Sequence, residues 1–280
     1  MNIKSLSRAG WWRGVLGLCL ALTISGCAQS PTRSDGPRRQ ESSWQPSTTA
    51  ADDQRRAMFI AGFTETLKRD DFYENTLGVS RNMPAYEPFK ERMTALYTDE
   101  LVLDWIYAQM TDATGTDVVM KRLSGRMFDG LGRLDDANAL PLLTSLGEVM
   151  GRLSNEDCTT FTSSNGKSSG GFGRMLEKME PSEVRDFFGA LHQGIRADLL
   201  QRPLRPTPTG EQIKTVFTAL EHVVPGGLYA KTSNNNCVTA SRLMLGLKKL
   251  NGPTQGHAIT FFLAQMGFYA KKTATAQKSS

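Results

Sequence analysis

The chain has 280 residues, 39% hydrophobic and 22% charged, with 33 Lys and Arg against 28 Asp and Glu for a formal net charge of +5. Three of those cations (Lys4, Arg8 and Arg13) fall in residues 1–26, which hold no acid, so the remainder carries 30 − 28 = +2. A near-neutral domain of this length can bury a sizeable core, and it is a poor electrostatic match for nucleic acid, which requires a clustered basic face. A nucleic-acid partner is therefore excluded.

The basic start is followed by an apolar run over residues 14–25, Gly-Val-Leu-Gly-Leu-Cys-Leu-Ala-Leu-Thr-Ile-Ser. A positive segment, a short apolar segment and small residues at its end make a secretory signal. The run is well short of the ~20 apolar residues a helix needs to cross a bilayer. It closes on Ile24-Ser25-Gly26-Cys27, which sets one thiol at the seam between apolar and polar sequence. This tetrapeptide resembles the lipobox of bacterial lipoproteins, with Ile24 where that family favours Leu. The resemblance implies a signal peptide over 1–26, cleavage before Cys27 and acylation of its thiol. One acyl chain anchors only marginally, at ~0.8 kcal/mol per buried methylene, whereas two or three hold permanently. Ala28 and Gln29 follow the Cys, where an Asp would favour retention at the inner membrane. The resemblance thus implies an outer-membrane lipid anchor facing the periplasm. The alternative is an ordinary secretory signal in which Cys27 is incidental.

If Cys19 leaves with the leader and Cys27 takes the lipid, Cys158 and Cys237 remain. Two thiols in an oxidising compartment read as one structural disulfide. Closing so long a loop stabilises by roughly 4 kcal/mol on the chain-entropy account. The rival reading, a redox-active pair, usually has a closer C-x-x-C spacing.

Residues 28–50 are rich in Ser, Pro, Gln and Arg, with Trp44 as their one large apolar side chain. Such a segment cannot bury enough surface to fold. With Cys27 it forms a tether over 27–50, spanning about 25–30 Å.

From residue 51 the apolar period is helical. Ile60, Phe63 and Leu67 share a face. Pro88 suits a first helical position, ahead of Phe89, Met93, Leu96 and Tyr97. Asp99 caps a helix bearing Leu101, Trp105 and Ile106. Gly115 breaks it, and Thr116 caps a helix striped by Met120, Leu123, Met127, Leu131 and Leu134. Leu140, Leu143, Leu146, Met150 and Leu153 make the next stripe. Cys158 leads into a Gly/Ser-rich loop, 162–173. Pro181 opens a helix with Val184, Phe188, Leu191, Ile195 and Leu199, and a Pro-rich connector runs from Arg202 to Thr209. Thr209 and Gln212 have capping-box spacing before Ile213, Val216, Phe217, Leu220 and Val224. Pro225-Gly226-Gly227 ends that helix, and Asn236 caps Cys237–Leu250. Asn251-Gly252-Pro253 is a stop, and Ile259, Phe262, Leu263 and Met266 form the last stripe. Residues 271–280 read as a frayed tail.

The expected fold is all-α: about nine short helices in a compact domain over 51–270, stapled by Cys158–Cys237. A sub-boundary near 155–160 is conceivable, since the stretches around the two cysteines share a layout ending in Phe187-Phe188 and Phe261-Phe262. Upstream, Tyr97-Thr98-Asp99-Glu100-Leu101 with Tyr107, Gly115 and Lys121 resembles a helical-hairpin domain of unknown function in small exported bacterial proteins. Ala113-Thr114 replaces that family's Ser-Pro, and the resemblance implies no activity.

Candidate chemistries fail on context. Gly166-Lys167-Ser168 ends like a phosphate loop, but Phe161 stands where the motif needs Gly. Ser164–Lys167, Ser233–Asn235 and Lys272–Ala274 echo S-x-x-K, S-x-N and K-T-G, yet the first lies in a loop and the last in the tail. His192, His222 and His257 lie on different helices without metal-ligand spacing, so no metal is expected. The pairs Asp52-Asp53, Asp70-Asp71 and Asp135-Asp136 sit near helix starts, where negative charge suits the dipole. Facing glycosidase carboxyls require another arrangement. The methionines are scattered core filler rather than copper ligands.

The expectation is therefore non-enzymatic, without cofactor: a lipid-anchored module that binds protein. Its partner is an envelope-complex subunit or, in an immunity role, a secreted effector. A cell-wall hydrolase is the enzymatic rival. The candidate binding loop is Ser163, Ser164, Asn165, Gly166, Lys167 and Ser168, because mobile loops on a stapled scaffold commonly carry contacts.

Overall fold

The computed structural model describes residues 50–77, 79–111, 116–163, 175–228 and 236–265. These residues form eleven α-helices of eight residues or more, a short helical turn over 175–178 and one 3-10 turn, and no strand occurs among them. In chain order the helices are α1 (Ala50–Lys68), α2 (Asp70–Leu77), α3 (Tyr86–Tyr97), α4 (Glu100–Thr111), α5 (Thr116–Leu131) and α6 (Asp136–Arg152). They continue with α7 (Asn155–Ser163), α8 (Pro181–Leu199), α9 (Gly210–Val223), α10 (Asn236–Gly246), the 3-10 turn Leu247–Lys249 and α11 (Gly252–Gln265). The all-α, disulfide-stapled fold is the one expected. The helices beyond the nine read from periodicity are the two shortest, α2 and α7.

Several helix ends follow directly from side-chain chemistry. Asp135 accepts from the Asn138 N–H at 2.9 Å and so starts α6. At α9, Gln212 N–H donates to Thr209 Oγ1 at 3.3 Å, and Thr209 N–H donates to Gln212 Oε1 at 2.8 Å. Both orphan donors are thereby satisfied. At α8 the Glu183 carboxylate accepts from the Glu180 N–H at 2.7 Å, while Pro181 needs no partner at the first position. Other boundaries shift. Helix α3 begins at Tyr86, so Pro88 lies in its first turn rather than opening it. Helix α5 stops at Leu131, and Leu134 is buried from the following turn. Helix α10 ends at Gly246 before the 3-10 turn, and Gly252 then takes φ 54°, a conformation that favours glycine.

Helix α8 is the spine, packed along α5, α6 and α3 and touching α4. Its crossing with α5 is a backbone contact. A Cβ on Gly130 would overlap the Gly194 carbonyl and lie 3.1 Å from its Cα. Helix α6 sits between α8 and the α10–α11 pair. There Gly147 and Gly151, one turn apart, admit Met244 and Ser241 of α10, at 2.8 Å and 2.7 Å from the missing Cβ positions. Helix α9 closes on α11, with Phe217 edge-on to Phe261. One cluster of buried side chains runs from Leu67 to Leu263, across the 155–160 stretch. Within it Tyr73, Phe89 and Phe188 form an edge-to-face chain joining the N-terminal helices to α8.

Candidate functional site

The Cys158–Cys237 bond joins α7 to α10, with Cα atoms 5.8 Å apart and both residues buried. Both cysteines lie on helices, although the sequence suggested a loop around Cys158. Helix α7 starts after Ser154, which caps it through the Asp157 N–H donating to Ser154 Oγ at 3.0 Å, and it runs through Ser163. Ser163 of the expected binding loop is therefore the last residue of α7, and Ser164, Asn165, Gly166, Lys167 and Ser168 lie outside the described residues. So do Cys27, residues 233–235 and the tail. Two downstream layouts still match: a cysteine helix, a short helical turn, a proline in the first turn, then a helix with paired phenylalanines packed on α6.

The described polar chemistry gathers on the C-terminal half of α8. Its most buried knot is Asp198, 6% exposed, held between Arg126 of α5 at 2.8 Å and Arg133 at 3.2 Å. Arg126 also lies over the Trp105 ring, 5.1 Å from its centroid, and Arg133 donates to the Arg202 carbonyl. This network ties α4, α5 and α8 to the start of the Pro-rich connector.

Arg205 performs the same task from within the connector. It donates to Thr260 Oγ1 at 2.8 Å, to the Leu134 carbonyl at 2.7 Å and to Asp136. Both knots are satisfied internally, which suits a structural role.

A second knot on α8 is less complete. His192 and Arg196, one turn apart, both reach Asp99 Oδ2; the His192 Nε2 distance is 3.0 Å. Asp99 stands just before α4, where its other oxygen accepts from the Val102 N–H at 3.3 Å. The capping role expected from sequence holds, and the carboxylate also joins α4 to α8. Burial alone would raise the Asp99 carboxyl, but hydrogen bonds from Arg196 and His192 outweigh it and hold the group below its ordinary value. His192 is pushed down, chiefly by burial; Asp99 opposes that shift, and the charges of Arg196 and Arg92 add to it. At neutral pH the hydrogen-bond pattern then assigns the proton to Nε2, donating to Asp99, and leaves Nδ1 as an acceptor. Arg92 of α3 lies across Gly189, its Cζ 4.0 Å from where a Cβ would be.

Sequence reasoning singled out His192 as one of three dispersed histidines and Asp99 as a cap, but did not join them. The available signal was the spacing of Gly189, His192 and Arg196 at i, i+3 and i+7, which sets them on one helical face. His222 is exposed and His257 half-buried, each on another helix. No group of three or more His, Cys, Asp or Glu among the described residues is arranged to hold a metal ion. No described helix is long and apolar enough to cross a membrane. Neither the protein-family models, the curated proteins nor the solved structures yield a match to the chain.

Proposed function

We propose that the chain is a bacterial lipoprotein, tethered to the outer membrane through lipid on Cys27, whose periplasmic helical domain binds a protein partner without catalysing a reaction. The observation that carries this reading is the bond between Cys158 and Cys237, the two thiols left once the leader and the lipid site are set aside. A buried disulfide between helices suits an oxidising compartment. The leader and the Ile24-Ser25-Gly26-Cys27 seam point to the same compartment independently. The fully satisfied networks of Asp198 and Arg205 support a rigid scaffold that presents surface rather than a mobile catalyst.

The partner is an envelope-complex subunit on the favoured reading and a secreted effector on the immunity reading. Segment 162–173, which starts in the last turn of the stapled helix, is the proposed contact. Photocrosslinking from exposed positions near Cys158 in growing cells tests both parts. The expected result is a discrete adduct with one periplasm-exposed protein, lost when residues 163–170 are deleted. Turnover of purified cell wall by the isolated protein would instead establish the hydrolase. Undiminished adduct after the deletion would remove the loop from the interface.

A further inference from the structure

Arg92 is exceptional among the cations of the fold. Its Nε is the one buried side-chain nitrogen or oxygen among the described residues that lacks a hydrogen-bond partner. The other arginines on or against α8 are engaged: Arg126 and Arg133 by Asp198, Arg152 by Glu183, Arg185 by Glu91 at 3.6 Å, and Arg196 by Asp99. Leaving a buried donor unpaired is costly, more so for a charged group. The guanidinium lies against the bare backbone of Gly189, its Cζ 4.0 Å from where a Cβ would be.

Its surroundings do not neutralise it. The same face of α8 carries His192 and Arg196, and Asp99 is the single carboxylate they share. Glu91, next to Arg92 in sequence, faces Arg185 instead. With His192 neutral, the cluster holds two guanidinium charges against one carboxylate. It is also reachable, since the Arg196 side chain is 36% exposed and that of His192 16%. An anion entering beside Arg196 would meet a planar, bidentate donor there, and the Arg92 guanidinium lies against Gly189 on the same face of α8. It would also favour protonation of His192, whose Nδ1 would become a further donor.

We propose that Arg92, His192 and Arg196 form a binding site for a small oxyanion group, a carboxylate or a phosphate, between α3 and α8. Gly189 makes room for the site, and Asp99 orients its two α8 cations without balancing the charge. The chemistry is the same whether the group belongs to an acidic side chain, a chain terminus or a phosphate ester. The site does not depend on the lipid anchor or on the identity of a protein partner.

The chain contains three histidines, so carbon-labelled histidine gives three resolvable ring signals in the full-length protein. His192 is titrated with acetate and with inorganic phosphate at ionic strength fixed by chloride, while exposed His222 serves as internal control. Binding should raise the His192 titration midpoint by about half a pH unit or more, saturably, and leave His222 unmoved. Arg92→Gln should abolish the response, whereas Arg185→Gln, at a pair outside the cluster, should keep it. Response to acetate alone assigns a carboxylate, and response to phosphate alone assigns a phosphate group. Should Arg92→Gln fold poorly, the saturable and residue-selective shift in the native protein still decides the matter. Equal shifts at all three histidines, no saturable shift at His192, or an undiminished response in folded Arg92→Gln would overturn the site.

Discussion

Two glycines of α5 make opposite predictions from one structure. Gly130 meets Gly194 backbone to backbone at the crossing of α5 and α8, where a Cβ would overlap the Gly194 carbonyl and approach its Cα to 3.1 Å. Carbon atoms settle ~3.5–4.0 Å apart, so Gly130→Ala must part the helices by on the order of 1 Å. Neither wall can turn aside, because both are backbone. Overpacking of this kind costs about 1–3 kcal/mol, and a backbone clash belongs at the upper end. Against that, alanine recovers up to ~1 kcal/mol of helix propensity. The net cost is about 2 kcal/mol. Gly125, five residues earlier in the same helix, has nothing within 4 Å of its missing Cβ. Gly125→Ala should therefore stabilise by up to ~1 kcal/mol. Since 1 kcal/mol moves the midpoint of a domain this size by about 2–4 °C, Gly130→Ala should lower Tm by roughly 4–8 °C and Gly125→Ala should raise it slightly. Urea unfolding followed by helical circular dichroism measures both. If Gly130→Ala is as stable as the native chain while Gly125→Ala gains, the close crossing at the centre of this fold is wrong.

Further outcomes follow from the same geometry. Replacing Cys158 and Cys237 together by Ser releases a loop spanning 79 positions and should cost about 4 kcal/mol, read as a lowered denaturation midpoint; a loss below ~1 kcal/mol would make the staple incidental. Asp198→Ala leaves Arg133 buried without its counter-ion and should cost about 3–5 kcal/mol, whereas an exposed pair such as Lys68–Glu65 should cost less than ~1 kcal/mol when broken. His192 is held below its ordinary value of 6.5, so the unfolded chain takes up its proton first as pH falls. Its contribution is complete above pH 6.5 and is lost on acidification below it. His192→Gln should flatten that part of a stability-against-pH curve, and an unchanged slope would show that another group is responsible. Asp99, also held low, loses its contribution only in stronger acid, below its ordinary 3.8.

Local signals were the legible part of this sequence. The Thr209–Gln212 capping box, the helix start at Asp135-Asp136 and the Pro181 start need only neighbouring residues, and each is observed as read. The disulfide was legible for a different reason: on the proposed reading of a leader and a lipid site at Cys27, two thiols remain and there is one way to pair them. Long-range polar chemistry was not legible. Asp99 announces itself as a cap, but its partners lie 93 and 97 residues away on α8. Arg205 sits in a Pro-rich connector that reads as a spacer, and its donors reach the α5–α6 turn and α11. The glycine crossings were equally silent, because periodicity counts apolar side chains and Gly130 and Gly194 contribute none. Helix α7 was missed because its period is short and Gly/Ser-rich sequence follows it, while the cap that starts it, Ser154 with Asp157, is a three-residue signal.

The fate of the Cys27 sulfur decides whether the proposed anchor exists. Growing cells fed a labelled fatty acid, expressing either the native chain or Cys27→Ser, decide it by the label carried on the purified product. The native chain should be labelled, cut before residue 27 and recovered with the outer membrane, and the variant should be unlabelled. Equal labelling of the two, or a native product that keeps its leader, would contradict the anchor and the periplasmic function built on it.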